Sequence, residues 1–242
     1  FAMYLVLHEV FFNIKLGKFK FFLYSFFAIT MIFNMFITGG RAGQVMFFAM
    51  LIILIFQFFN NEKIKSLILI LVLIPSIFFV AYQTSNLFEV RVNAAVSDIV
   101  SYEVSSNTSV GKRVNYALNS WDLIKENPLI GVGTGDLPSE FKKNSASNSN
   151  REFTSTTNPH NMFILVFIQL GLVGFLSFLS IFYYQIKQSG VSSSKFIRDV
   201  GITLPLLYLV IMLADSYLLG HFTSLIYVFF SSFLYKDFEK SK

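Results

Sequence analysis

Five apolar runs lie at 21–37, 42–59, 64–82, 161–184 and 199–219. Each is near the ~20 residues that an α-helix needs to cross about 30 Å of hydrocarbon. A sixth, at 222–235, is short; it crosses if neighbours or interfacial Tyr residues pin its ends, or is partly re-entrant. Residues before Asn13 read as the tail of another span. The chain enters within an apolar segment, FAMYLVL, so it reads as the C-terminal part of a longer protein. Of its 242 residues, 54% are hydrophobic and 14% charged, whereas a soluble domain carries about 25% charge. Its 31 Phe exceed what one soluble core of this length buries, while lipid-facing helices expose Phe, Leu and Ile without penalty. The expected fold class is an all-α integral membrane protein, a multi-helix transmembrane bundle.

The links between the runs alternate in charge. Lys15, Lys18 and Lys20, then Lys63 and Lys65, then Lys187, Lys195 and Arg198, and finally Lys236, Lys240 and Lys242 fall on one side if each run crosses once. These are most of the basic residues, which makes that side cytoplasmic and explains much of the net charge of +5. Arg41, the polar stretch 83–159 and His221 then face outside, and the C-terminus is cytoplasmic. The expected organisation is transmembrane helices over 1–82, an extracytoplasmic loop over 83–159, and transmembrane helices with a short cytoplasmic tail over 160–242.

Within the loop, Val114, Ala117, Leu118, Trp121 and Ile124 recur at three- and four-residue spacing over 112–126, with Asn115, Asn119, Asp122 and Glu126 opposite, and Asn127-Pro128 closing the pattern. This predicts an amphipathic helix on the membrane face, docked by its Trp121 stripe. A weaker helix is expected over 90–100. The run NSASNSNREFTSTT, 144–157, has the composition of a loose segment or of one that orders over a ligand.

Several chemistries are excluded or disfavoured. The absence of Cys removes disulfides, thiolate metal sites and Cys nucleophiles. GVGTGD at 131–136 lacks the spacing and the strand-to-helix setting of a dinucleotide fingerprint and reads as a glycine turn. His8-Glu9 has no second His four residues after the first, and no D-x-D element marks a nucleotide-sugar metal. No basic stripe interleaved with aromatics suggests nucleic acid. What remains is an outer layer of ionisable groups at the span mouths: Arg41, Arg113, His160, Asp215 and His221. Such groups cost about 2.5–3.5 kcal/mol in a membrane, so together they suggest a polar cavity. Singly, each has a plain alternative: Arg41 as a snorkelling residue, Arg113 as a helix-surface charge, and His160 as a polar helix start with Asn158 or Asn161 as cap.

Gly39-Gly40-Arg41 opening a span, then RVNYALNSWDLIKENPLIGVGTGD, then NPHNMFILVFIQLGLVGFL, over roughly 37–179, resembles the O-antigen ligase and O-antigen polymerase superfamily. The shared order is an Arg opening a helix, an R-x(n)-P-x-x-G-x-G stretch in a large periplasmic loop, a His-Asn pair starting the next helix, and a Gly-x-x-Gly pattern, here Gly171 to Gly174. Gly40 departs from it, the family commonly having Ser or Thr there. The resemblance implies a glycosyltransferase of the bacterial inner (plasma) membrane that needs no metal or cofactor. It would move a glycan from undecaprenyl diphosphate to a sugar acceptor, which is lipid A core in ligases and a growing polysaccharide in polymerases; the ligase is preferred.

The same resemblance makes Arg41 and Arg113 diphosphate binders and His160 the catalytic base. A guanidinium matches phosphate oxygens with a fixed fork of donors, and an imidazole exchanges protons near neutral pH. Supporting roles fall to Asn161, Trp121, Asp215 and His221. Trp121 and Tyr116 either stack on sugars or dock the helix; Asp215 or His221 either orients His160, contacts the acceptor, or pairs with the other. A non-enzymatic flippase of lipid-linked glycans would use the same arginines but needs no base at His160.

Overall fold

The computed structural model describes residues 1–38, 40–100, 109–147 and 156–235, and the regular elements among them are all helices. They are α1 (Ala2–Phe12), α2 (Lys18–Ile37), α3 (Arg41–Phe59), α4 (Lys63–Thr84), α5 (Asn86–Val100), α6 (Ser109–Glu126), α7 (Leu137–Ser147), α8 (Met162–Gly190), α9 (Lys195–Ile211) and α10 (His221–Leu234), with a 3-10 turn at Tyr217–Leu219. The chain is an all-α membrane protein, with α2, α3, α4 and α8 long and apolar enough to cross a bilayer. Gly39, the middle of the Ser/Thr/Asn-rich run, and Lys236, Lys240 and Lys242 lie outside the described residues. By contact the chain forms two compact units, Phe1–Ala94 and Ala95–Lys242, with the division inside α5.

In the first unit, α2 and α4 expose large apolar side chains along most of their length, among them Phe22, Phe33, Leu71 and Phe79. Water would penalise that surface, whereas lipid does not, so helix association here depends on packing shape and polar contacts. Phe36 meets Phe47 and Phe88 edge-on at 5.4 Å, and Phe78 meets Phe88 at 5.2 Å. Each such pair contributes about 0.5–1.5 kcal/mol beyond its area. Polar ties fix the ends: Ser85 Oγ donates to the Phe36 carbonyl at 2.7 Å, and Tyr4 donates to Gln57 Oε1 at 2.7 Å.

In the second unit, α9 is the most enclosed helix, with Val200, Thr203 and Leu204 fully buried. The run expected to continue as a span to residue 219 stops at Ile211. There the backbone tightens, with Leu213 N donating to Val210 O and Ala214 N to Ile211 O. Asp215 then takes the N–H of Ser216 on its own carboxylate at 2.7 Å, the local competition that makes Asp a helix breaker. The freed carbonyls are used: Met212 O accepts from Met162 N at 3.0 Å and Leu213 O from Asn161 Nδ2 at 3.2 Å, joining the end of α9 to the start of α8.

The feature that organises this unit is a break inside α8. Gly171 has φ +63°, a left-handed value that interrupts the helix and that only glycine adopts freely. The orphaned groups are taken up by the turn after α6. Val132 N donates to Ile168 O at 2.8 Å and Gly133 N to Gln169 O at 3.0 Å, while Leu172 N donates to Pro128 O at 2.9 Å and Val173 N to Leu129 O at 3.3 Å. Gly131, with φ +71°, faces the break so closely that a Cβ there would lie 2.4 Å from Ile168 O, and one on Gly171 would lie 2.3 Å from Leu129. The two glycine motifs singled out in the sequence are thus two halves of one backbone contact. Gly171→Ala and Gly131→Ala combine a strained φ with a backbone clash and should each cost on the order of 2–4 kcal/mol. Gly190→Ala, which meets open space, should stay within about 0.5 kcal/mol, as read by thermal unfolding in lipid nanodiscs.

Candidate active site

Residues 156–161 bring the chain into α8, and their geometry is set by side-chain bonds to the backbone. Asn158 Oδ1 accepts the His160 N–H at 2.9 Å and the Ser216 hydroxyl at 2.8 Å, tying this segment to the end of α9. His160 holds φ +54°, a left-handed value uncommon outside glycine. Asn161 caps α8, its Oδ1 accepting from Phe163 N at 3.0 Å and Ile164 N at 3.1 Å; of the two cap candidates, Asn161 takes the role. The next residue before the cap is the imidazole, so cap and turn together aim it.

His160 Nδ1 lies 3.1 Å from Asp215 Oδ1, with both side chains part-exposed. A carboxylate only accepts, so Nδ1 carries the proton in this contact, and in the neutral ring Nε2 keeps its lone pair. The ring of Tyr116 stacks on His160 at 5.9 Å between centroids and 28° between planes. Lys112, Arg113, Tyr116 and His160 line one small cavity of about 210 Å³. Tyr217 adjoins the same groups from the link between α9 and α10: burial first, then the Asp215 charge, pushes its phenol up, while Arg113 pulls it down. His160, Asp215 and Arg113 are therefore brought into one neighbourhood, together with Tyr116, Lys112 and Tyr217. His221, exposed as the first residue of α10, is not among the residues lining that cavity.

Trp121 and Arg41 have settings of their own. Trp121 is 54% exposed, and α6 packs instead through Asn119, Ser120, Leu123 and Ile124, with Asn144 Nδ2 donating to the Asn119 carbonyl at 3.1 Å. Asn115, Asn119 and Ser120 are buried beside Leu123 and Ile124, so of the apolar stripe Ile124 packs inward while Leu118 and Trp121 face outward. Trp121 carries Lys125 over its ring at 5.7 Å. Arg41 is the first residue of α3 in the first unit, half-buried; nearby, the buried Gln44 donates to the carbonyls of Met35 and Thr38 at the end of α2. Among the described residues no group of three or more His, Asp or Glu is placed to hold a metal.

Lys112, Asn158, Ser216 and Tyr217 had no sequence signal of their own. Asn158 was visible only as an alternative cap, and Ser216 and Tyr217 lay inside a run read as continuous helix.

Residues 26–179 match the family model described as O-antigen ligase. The match contains Arg41, Arg113 and His160 together with both sides of the α8 break, whereas Asp215 and His221 lie beyond it. No curated protein matches the sequence. The rotated seating of α6 has a direct test in thermal unfolding: Leu123→Ala should cost about 2–4 kcal/mol as a core truncation, and Trp121→Ala no more than about 0.5 kcal/mol. The reverse order would make Trp121, not Leu123, the residue that packs α6 against the protein.

Proposed function

The chain belongs to the O-antigen ligase family, and from that premise we propose that it moves a glycan from a polyprenyl diphosphate carrier to a sugar hydroxyl at the outer face of the bacterial inner membrane. The acceptor in this reading is lipid A core or a similar sugar; a growing repeat-unit polymer is the related alternative. The observation that carries the proposal is the His160–Asp215 pair beside Arg113. It presents a base and a phosphate-binding cation at one cavity.

In the proposed step, His160 Nε2 accepts the proton of the acceptor hydroxyl. The acceptor oxygen bonds to the anomeric carbon as the bond from that carbon to the diphosphate oxygen breaks, and the leaving diphosphate keeps the electron pair. Arg113 neutralises the charge that builds on it, with its fork of donors across the phosphate oxygens. Lys112 adds a point charge to the same wall. Asp215 is a positioning residue: by accepting Nδ1–H it holds the tautomer whose Nε2 is basic and stabilises the imidazolium that forms. Arg41, which opens α3 in the first unit, is proposed as a diphosphate binder on the family resemblance alone.

Transfer of a labelled glycan, measured in membranes with carrier binding in parallel, separates the readings. His160→Ala should lower transfer by about 10²- to 10⁴-fold with carrier binding retained. Asp215→Ala should lower kcat while carrier binding stays unchanged, and Asp215→Glu should recover part of it. Arg113→Ala should weaken carrier binding itself, and Arg113→Lys should restore it incompletely because an ammonium lacks the bidentate fork. Undiminished transfer by His160→Ala removes the base, and carrier translocation without transfer in the wild type makes the protein a flippase.

A further inference from the structure

We propose that the turn at 128–133, together with the outward stripe of α6, is a membrane-embedded surface whose partner is the bilayer itself: hydrocarbon against Leu129 and Ile130, the headgroup layer against Trp121. The inference rests on α8 crossing the membrane and is independent of the proposed chemistry.

The first argument is depth. α8 enters at Met162, and the break at 168–173 lies six to eleven residues further on, or roughly 9–17 Å along the helix at about 1.5 Å per residue. With the hydrocarbon taken to begin at the apolar start of α8, that is inside a layer about 30 Å thick. The four backbone hydrogen bonds between 128–133 and 168–173 allow the turn no other level. A connection between helices that looks in sequence like a water-facing loop is therefore held at membrane depth. Irregular backbone survives there because its polar groups are satisfied by protein, and here the broken helix and the turn satisfy each other.

The second argument is what the turn shows to its surroundings. Leu129 and Ile130 are 62% and 77% exposed. On the helix to which they are bonded, Leu170, Val173 and Leu176 are exposed as well, so the turn continues the lipid-facing surface of α8. The third argument is the stripe left outward by the seating of α6. Leu118 and Trp121 are exposed, and Lys125 lies over the indole while its ammonium also reaches Asp122 at 3.6 Å. An amphipathic ring with a cation beside it suits the boundary between hydrocarbon and headgroups.

The sequence has no Cys and a single Trp, which makes the test direct. A spin label at Ile130→Cys in proteoliposomes is compared with Val173→Cys on α8 and Lys142→Cys on the exposed side of α7. Collision with oxygen, which partitions into hydrocarbon, is set against collision with a water-soluble nickel chelate. The expected result is an oxygen-to-nickel ratio at position 130 like that at 173 and several-fold above that at 142. In parallel, Trp121 emission should be quenched more by lipids brominated near the headgroup end of the chain than by aqueous iodide. A label at 130 that behaves like 142 overturns the proposal by placing the turn in water. Low accessibility to both reagents overturns it too, by placing another protein segment or a second copy over the turn.

Discussion

Lipid offers no hydrogen-bond partners, so a membrane helix that breaks must find its partners within the protein. The break in α8 at Gly171 meets that requirement through one turn of chain, 128–133, which both accepts from and donates to the interrupted helix. Much else in the second unit follows from this exchange. It fixes the C-terminal end of α6, since Asn127 and Gly131 continue directly from that helix through the bonds of Asn127 N to Leu123 O and Gly131 N to Asn127 O. With that end held, the face of α6 that bears Tyr116 comes against His160. A contact of glycine backbones thereby sets the position of the side chains that line the cavity.

The second constraint is local and polar. The start of α8 and the end of α9 each leave backbone groups open, and they close them against each other through Asn161, Met162, Met212 and Leu213. Asn158 and Ser216 add a side-chain link across the same junction. The imidazole and the carboxylate therefore meet on two segments whose separation is fixed by bonds to the backbone. The pair is part-exposed and contributes little to stability by itself, so its value lies in orientation, and the surrounding caps supply the rigidity that orientation needs.

Much of this was legible in the sequence because period and length are one-dimensional signals. The runs of apolar residues marked α2, α3, α4 and α8 to within a few residues, and the order of Arg41, Arg113, the glycine turn, His160 and the Gly-x-x-Gly pattern pointed to the family. What the sequence could not show was which groups meet. Gly131 and Gly171 were two separate motifs until the backbone brought them together. Asp199–Leu219 read as one span because hydropathy averages over Ala214, Asp215 and Ser216, whose side-chain and backbone bonds end the helix at Ile211. The stripe containing Trp121 was a true helical period, and its Leu118 and Trp121 lie on the outer face of α6 while Ile124 packs inward. Polar Asn119 and Ser120 are buried, where Asn144 donates to the Asn119 carbonyl and the Ser120 hydroxyl donates to the Tyr116 carbonyl, bonds invisible to hydropathy.

The most direct test of this account is amide hydrogen exchange of the protein in lipid nanodiscs, read at residues 131–133 and 168–173. If the turn completes the broken helix, the amides of Val132 and Gly133 exchange as slowly as those of Leu172 and Val173, and Gly171→Ala accelerates both segments together. Rapid exchange at 132 and 133 beside a protected 168–173 would contradict it, because the turn would then be an ordinary loop and the break in α8 would have to be satisfied in some other way.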